Sequence, residues 1–250
     1  MNMKVVSSHQ RLKLRIEDFF DVSEERKQAR ALIDALAERS HAWIFGGMIR
    51  DIGLFGRGGF TSDIDLVIDL SREELINALN RHNIECFSVN KLGGIRFHYM
   101  SLDFDIWSIN DTWAFKNRIV EFKDTYSLLN TTLMSWDSIL YDVKKKHLIS
   151  PDNYLHDLHH RRLELVLQKT PNEVGSVIKI LRTIYNKRVQ ILGPQLTDFL
   201  LQALHEHSFD QLRQYEYGSY RSSSFSVEDL RRLKEDLCHF RTGFDIKIRI

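Results

Sequence analysis

The chain has 250 residues, a formal net charge of +1 at pH 7 and 43% hydrophobic residues. A chain of this size and composition can bury a hydrophobic core without disulfides or structural metals. Its net charge is much lower than the strongly positive charge of a dedicated nucleic-acid-binding protein. Cys86 and Cys238 form no CxxC pair, which argues against a zinc ribbon or a disulfide framework. No apolar run has signal-peptide or membrane-spanning character, so we expect a soluble cytoplasmic protein without a membrane partner.

Hydrophobic periodicity in the first half of the chain predicts helices that alternate with short strands. Apolar residues at i, i+3 and i+4 spacing predict a helix over residues 21–40, with Asp21 and Glu24 as a capping box at its start. Ser71 is the expected cap of a helix over 71–83. The other predicted elements are a strand at Ala42–Phe45, a short helix at 48–55, a glycine-rich loop at 56–59, and strands at 62–70, 85–89, 95–100 and 102–109.

Helical spacing dominates the sequence after about residue 125. Helices are predicted at 174–192, 196–207, 209–217 and 226–240. Pro171 disfavours a helix that continues through Thr170, so we expect a hinge within residues 168–173. The predicted fold class is α+β, with a domain at residues 1–170 that holds a small mixed sheet flanked by helices, followed by a helical region at residues 171–250.

Two predicted strands carry aspartates at alternate positions. Asp63 and Asp65 lie in one strand and point to the same face, with their Cα atoms ~6.5 to 7 Å apart. Asp103 and Asp105 repeat this pattern in a second strand. If the two strands are neighbours, three or four carboxylates converge, and such oxygen ligands suit Mg²⁺. Taken alone, a D-x-D pair is more often solvated at a strand edge.

The glycine pair Gly46-Gly47 favours an anion site beside these carboxylates. Glycines after a strand let the backbone approach a ligand closely, and the amides at the start of the following helix suit a phosphate. Arg50 lies one turn into that helix, where its guanidinium can contact phosphate in a bidentate manner. Asp51 either holds Arg50 in place or caps a neighbouring amide. A plain tight turn is the alternative for the glycine pair alone.

The ordered series of motifs resembles the head domain of tRNA nucleotidyltransferases and poly(A) polymerases, within the polymerase β nucleotidyltransferase superfamily. The segments GGMIRD and SDIDLVID are similar to the family's G-G-x-[VI]-R-D and D-[IV]-D signatures. The similarity continues in the same order over residues 41–192. Its later positions are Asn130, Tyr141, Asp142, Leu148, Ile149, Asp157 and Leu158, and then a neck-like helix at VIKILRTIYNKRVQIL.

This resemblance implies a nucleotidyltransferase head domain followed by a helical neck. The implied reaction transfers a nucleoside monophosphate from a nucleoside triphosphate (NTP) to a hydroxyl acceptor, with a tRNA-like RNA 3′ end expected first, and releases pyrophosphate. Asp63, Asp65 and Asp105 would be the catalytic carboxylates and would bind two Mg²⁺ ions, or Mn²⁺ in their place. Asp105 would lie nearest the attacking hydroxyl, with Asp103 as the weaker choice for this role. The residues implied to bind the NTP are Gly46, Gly47, Arg50 and Asp51.

Departures from the family pattern concern the acceptor and the base. Lys123 and Asp124 stand where the family has R-R-D, no clear E-D-x-x-R signature follows the neck, and the chain given ends at Ile250. We therefore expect an acceptor other than the tRNA end that receives CCA. Two alternatives remain open, namely nucleotidylation of a protein, as in toxin–antitoxin or defence systems, and a non-catalytic nucleotide-binding regulatory domain. The complete acidic set favours an enzyme.

Two further patterns are expected to be surface features, and a third is expected to pack within the protein. His156, His159 and His160 have helical spacing but lack an evident fourth zinc ligand, so a solvated helix that faces RNA is favoured. The lysines at 144–146 predict a charged turn between two strands. Tyr215, Tyr217 and Tyr220 are suited to stacking on bases, although packing within the protein is favoured.

Overall fold

The computed structural model describes residues 5–60, 62–239 and 241–250, which form two compact units. The first unit comprises the residues up to Thr131 together with Trp136–Leu155, and the second comprises Thr132–Ser135 and His156–Ile250. The predicted domain boundary between residues 170 and 171 stays a prediction, because these units are defined by internal contacts and not by independent folding.

The first unit is a mixed sheet with flanking helices. Its elements are α1 (His9–Asp21), α2 (Glu24–Glu38), β1 (Ala42–Phe45), α3 (Gly46–Phe55), β2 (Ile64–Ile68), α4 (Arg72–Arg81), β3 (Phe87–Val89), β4 (Ile95–Tyr99), β5 (Leu102–Ser108), α5 (Trp113–Lys116), β6 (Leu140–Asp142) and β7 (His147–Ile149). The strand order is β3-β4-β5-β2-β1-β6-β7. Strands β2 and β5 pair in parallel, and the other neighbours pair in antiparallel fashion. The predicted α+β class with a mixed sheet is confirmed.

Helix α1 was not predicted, and it supplies part of the core. Leu12, Ile16, Phe19 and Phe20 are buried on one face of this helix, which packs against α2 and α3. Their spacing of four, three and one residues is a helical signal in the sequence. The capping prediction for α2 is wrong, because Asp21 ends α1 and the Oγ of Ser23 accepts the Arg26 amide instead.

Helix α3 begins directly at Gly46, so the prediction that the glycine pair forms a turn before a helix at residue 48 is wrong. Gly46 and Gly47 form the first helical turn, and Phe45, the N-cap residue, provides no side-chain hydrogen bond. A Cβ atom on Gly46 would lie 2.0 Å from the backbone oxygen of Asp137. Glycine is needed here because the start of α3 and the segment around Asp137 approach each other too closely for any side chain.

Strands β1 to β5 and helix α4 agree with the predicted elements. Ser71 and Glu74 form a reciprocal capping box at the start of α4. Between β4 and β5, Met100 and Ser101 both adopt positive φ angles and reverse the chain in a tight hairpin. This hairpin fixes the register in which Arg96 opposes Asp105 and His98 opposes Asp103.

The second unit is mainly helical. Helix α6 (Tyr154–His159) contains the boundary between the two units, which lies between Leu155 and His156. The elements that follow are β8 (Arg162–Leu163), α7 (Glu173–Lys187), β9 (Ile191–Leu192), α8 (Pro194–Glu206), α9 (Phe209–Tyr220), α10 (Val227–Leu237) and β10 (Ile246–Lys247). The helix predicted at 174–192 is too long, because Arg188 takes a left-handed conformation that ends α7. Within the described residues, none of the helices has the length and apolar character needed to cross a membrane. The cytoplasmic location stays a prediction.

The close approach at Gly46 predicts a stability effect. We expect Gly46→Ala to lower the free energy of unfolding by about 1–3 kcal/mol, because the new methyl group overlaps the backbone of Asp137. Gly218→Ala is the matched control, since no atom lies within 4 Å of its Cβ position in α9, and it should raise stability by roughly 0.5–1 kcal/mol. Urea unfolding measures both changes. Equal effects of the two substitutions would contradict the close packing at Gly46.

Candidate active site

Three carboxylates converge on one face of the large sheet. Asp63, Asp65 and Asp105 each place an oxygen so that the three atoms lie within 4.8 Å of one another. The parallel register of β2 and β5 sets Asp65 beside Asp105, and Asp63 lies two residues before Asp65, on the same face. Asp105 is buried, whereas Asp63 and Asp65 are half-buried. We call these three residues the acidic triad.

Asp103 lies outside the acidic triad. Its side chain is 74% exposed, and Asp103 Oδ1 lies 2.8 Å from Nδ1 of His98 on the neighbouring strand. Asp103 is therefore a solvated residue at the rim, and it serves below as a control position.

An arginine that sequence reasoning missed contacts the acidic triad. Arg96 Nε donates a hydrogen bond of 2.7 Å to Asp105 Oδ2. This bond and the charges of the triad raise the pKa of Arg96. Burial raises the pKa of Asp105, and the hydrogen bond from Arg96 opposes that shift. Arg96 therefore compensates part of the acidic charge without a metal. The short hairpin at Met100-Ser101 sets a register in which Arg96 lies opposite Asp105. This register is the feature of the sequence from which the contact between Arg96 and Asp105 could have been predicted.

The donor set of the acidic triad fits a divalent cation. Asp105 Oδ1 is buried and has no hydrogen-bond partner within the part of the chain that the structure describes. A Cβ atom on Gly94 would lie 2.7 Å from this oxygen, so the glycine leaves the space that Asp105 occupies. A buried carboxylate oxygen without a partner costs free energy, and a hard cation held by three carboxylates removes that cost.

The start of α3 lies beside the acidic triad. A Cβ atom on Gly47 would lie 3.6 Å from Asp65 Oδ2. The first amides of a helix have no partner within the helix, and here no N-cap side chain accepts from them. Backbone donors suited to phosphate oxygens are thus adjacent to carboxylates suited to a cation.

Arg50 and Asp51 belong to a buried ionic cluster behind the first turn of α3. Arg50 Nε donates to Asp51 Oδ1 at 2.8 Å, and Arg50 Nη1 donates to Asp137 Oδ1. Burial alone would lower the pKa of Arg50, but the charges of Asp137 and Asp51 outweigh burial and raise it. Arg50 Nη2 lies 4.0 Å from the Cβ position of Gly47, so the cluster borders the first turn of α3. The predicted contact between Arg50 and a triphosphate stays a prediction.

The remaining predicted surface patterns are separate from the acidic triad. The three histidines at positions 156, 159 and 160 are exposed, and none joins a metal-binding group among residues 5–60, 62–239 and 241–250. The lysines at 144–146 are exposed between β6 and β7. Arg182 covers the ring of Tyr220 at 4.1 Å, so this tyrosine already stacks within the second unit.

Comparison with known proteins identifies the fold. No family model matches the chain, and no curated protein matches it. A Thermotoga maritima CCA-adding enzyme complexed with tRNA matches with a TM-score of 0.59 and 15% identity, over 85% of this chain and 50% of that one. The chain has the tRNA nucleotidyltransferase fold. A tRNA-processing enzyme complex matches with a TM-score of 0.58 and 18% identity, over 82% of this chain and 56% of that one.

A third solved structure with this fold carries both kinds of expected partner. It is a tRNA nucleotidyltransferase with a primer tRNA and an incoming ATP analogue, and it matches with a TM-score of 0.53 and 18% identity, over 80% of this chain and 66% of that one. The chain thus spans about half to two thirds of the length of these structures. The family resemblance predicted from the motifs is confirmed at the level of the fold.

The ionic cluster at Arg50 predicts a large loss of stability when the positively charged side chain of Arg50 is removed. We expect Arg50→Ala to lower the free energy of unfolding by about 3–5 kcal/mol, since it leaves two buried carboxylates without their counter-ion. Adding Asp51→Asn and Asp137→Asn should recover much of the loss. Arg57→Ala, which removes an exposed partner of Asp18, should cost less than about 1 kcal/mol. Similar losses for Arg50→Ala and Arg57→Ala in urea unfolding would contradict the role of the cluster.

The acidic triad predicts stabilisation by divalent ions. Mn²⁺ or Mg²⁺ at 100 times its dissociation constant should stabilise the protein by about 2.7 kcal/mol, because the native state alone holds the three carboxylates together. Asp65→Asn should lose this stabilisation, and without metal it should melt no lower than the wild type, since repulsion is relieved. Asp103→Asn should keep the metal effect. Calorimetric melting with and without metal measures these changes, and an equal loss in both variants would refute the assignment.

Proposed function

We propose that this chain is a metal-dependent nucleotidyltransferase that transfers a nucleoside monophosphate from an NTP to an RNA 3′ hydroxyl, with release of pyrophosphate. The observation that carries this proposal is the acidic triad next to the uncapped first turn of α3. Phosphoryl transfer depends mainly on positioning and on electrostatic stabilisation of negative charge, and this arrangement would supply both once divalent ions occupy the acidic triad.

Each group in the site has a role that follows from its position. Asp63, Asp65 and Asp105 would hold divalent ions, and the amides at Gly46 and Gly47 would bind the β- and γ-phosphates. Such ions would offset the charge of the triphosphate and of the phosphoryl group in transfer. Asp51 and Asp137 would fix Arg50 behind the first turn, and this cluster would hold the turn in the position that presents the Gly46 and Gly47 amides.

The reaction forms a bond between the acceptor oxygen and the α-phosphorus of the NTP. The bond between that phosphorus and the bridging oxygen breaks, and pyrophosphate carries away the electron pair. The hydroxyl proton passes to solvent water, and Asp105, on the acceptor side of the triad, would hold a divalent ion that favours the deprotonated hydroxyl.

Solved structures with this fold support these substrate classes. They include enzymes with CTP, with tRNA, and with a primer tRNA together with an ATP analogue. On this basis we propose an NTP and an RNA acceptor for this chain, with Mg²⁺ as the resident ion. The boundaries at residues 1–170 for the head domain and 171–250 for the helical region are part of the same proposal.

Transfer of labelled nucleotide tests the proposed function. The protein is incubated with each α-labelled NTP, Mg²⁺ and a pool of short RNAs, and products are separated by denaturing electrophoresis. We expect label on RNA 3′ ends, and we expect Asp63→Asn or Asp65→Asn to reduce the rate by at least 10³-fold because the metal ligands are lost. Asp18→Asn, which changes an exposed carboxylate beside Arg57, should transfer at a rate close to that of the wild type.

Other results of the same experiment would contradict the proposal. Transfer of the label to protein would show that the acceptor is a protein and not an RNA. Tight NTP binding without transfer to either acceptor would indicate a nucleotide-binding regulatory domain. Full activity of the Asp63→Asn, Asp65→Asn double variant would exclude the acidic triad as the catalytic site.

A further inference from the structure

The order of the strands gives the acidic triad two distinct sides. Helix α3 follows β1, which borders β2, so the first turn of α3 lies on the β1 side of the triad. Asp105 is on β5, on the opposite side of β2, and β4 is the next strand beyond it. If the triphosphate lies at the first turn of α3, as in the proposed function on which this inference rests, the far side of the site is formed by β5 and β4.

In-line displacement assigns these two sides to different substrates. The attacking and leaving oxygens lie on opposite sides of the phosphorus, so the acceptor must approach from the side away from the pyrophosphate. Pyrophosphate leaves on the α3 side. The acceptor therefore approaches over β5 and β4, where Asp105 and Arg96 are paired.

The terminal amino groups of Arg96 are available as hydrogen-bond donors on this acceptor side. Its Nε is engaged by Asp105, and neither terminal amino group donates to a protein atom in the part of the chain that is described. The side chain is 58% exposed. An arginine held at one nitrogen by a carboxylate keeps a planar pair of donors in a fixed direction, which suits a phosphate.

A cleft beside Arg96 is large enough for a nucleotide. It has a volume of about 480 Å³ and is lined by Asp63, Arg96 and Asp103, with Ser62 at its edge. Phe97 and Phe104, which also border it, stack in parallel with ring centroids 5.0 Å apart and stiffen the β4–β5 pair. Without Arg96, the charged side chains that line this cleft would all be acidic, and they would repel a nucleic acid.

We propose that Arg96 forms a phosphate-binding subsite that takes the last phosphodiester of the RNA acceptor and so places the terminal hydroxyl beside Asp105. The same guanidinium would bring the Asp105 carboxylate and the RNA acceptor together, because its Nε binds the carboxylate and its terminal nitrogens would bind the acceptor phosphate. The ligand class of the subsite is a phosphodiester of a polynucleotide.

The test pairs a protein variant with a change in the acceptor. Transfer of one labelled nucleotide is measured on a short RNA and on the same RNA with a neutral methylphosphonate at its last linkage. For the wild type, we expect the neutral linkage to lower kcat/KM for the acceptor about tenfold or more, the size of one charge-assisted hydrogen bond. Arg96→Gln should cause a similar loss on normal RNA and little further loss on the modified RNA.

The non-additivity of Arg96→Gln and the methylphosphonate linkage distinguishes phosphate binding by Arg96 from a purely structural role of this residue. If Arg96 only kept Asp105 in position, Arg96→Gln would reduce transfer equally on both acceptors, and this would overturn the inference. We expect Arg96→Lys to restore part of the activity on normal RNA only, and KM for the NTP to stay within twofold of the wild type. A loss confined to KM for the NTP would place Arg96 on the other substrate and would also overturn it.

Arg57→Gln is the matched control, and wild-type activity separates the two proposals. Arg57 is 55% exposed and pairs with Asp18, but it follows the C-terminal end of α3, which lies about 12 Å along the helix from Gly47. It should behave as wild type on both acceptors. Wild-type transfer without coupling at Arg96 would refute this inference alone. No wild-type transfer to RNA, or label on protein, would refute the proposed function and this subsite together.

Discussion

The parallel pairing of β2 with β5 is the constraint on which the site depends. It sets Asp65 beside Asp105 and gathers three carboxylates within 4.8 Å. Unit charges at that separation repel by about 3 kcal/mol per pair at an effective dielectric constant of about 20. The structure compensates this repulsion in part with Arg96, and the partnerless oxygen of Asp105 shows that the protein groups described leave it incomplete. A divalent ion would complete the compensation, and under the proposed function metal binding and catalysis would share one physical origin.

The two sides of the acidic triad divide the work of the proposed reaction. On one side, Gly46 allows α3 to start against the backbone of Asp137, and Gly47 keeps the first turn open beside Asp65. The ionic cluster around Arg50 fixes this side from behind. On the other side, the β4–β5 hairpin presents Arg96 next to Asp105. The proposed phosphate contacts on both flanks of the carboxylates suit a reaction in which one phosphorus exchanges one oxygen for another.

Local patterns in the sequence predicted much of this arrangement. The alternation of Asp63 and Asp65 with apolar residues, and the repeat of that pattern up to Asp105, predicted both strands and a shared face. The buried partner of Arg50 was not predictable in this way, because Asp137 lies 87 positions away and no local rhythm links the two. The helical start at Gly46 was also missed, since the reason for it is a tertiary contact. Arg96 was missed although its register with Asp105 follows from the short hairpin.

Crystals soaked with Mn²⁺ and a non-hydrolysable NTP would show whether the acidic triad holds ions beside the first turn of α3. We expect anomalous peaks among the carboxylates of Asp63, Asp65 and Asp105, and β- and γ-phosphates within hydrogen-bond distance of the amides at Gly46 and Gly47. Arg96 should remain on the side of Asp105 that faces away from these phosphates. Manganese bound elsewhere, or a triphosphate on the β4 side of the triad, would contradict the account.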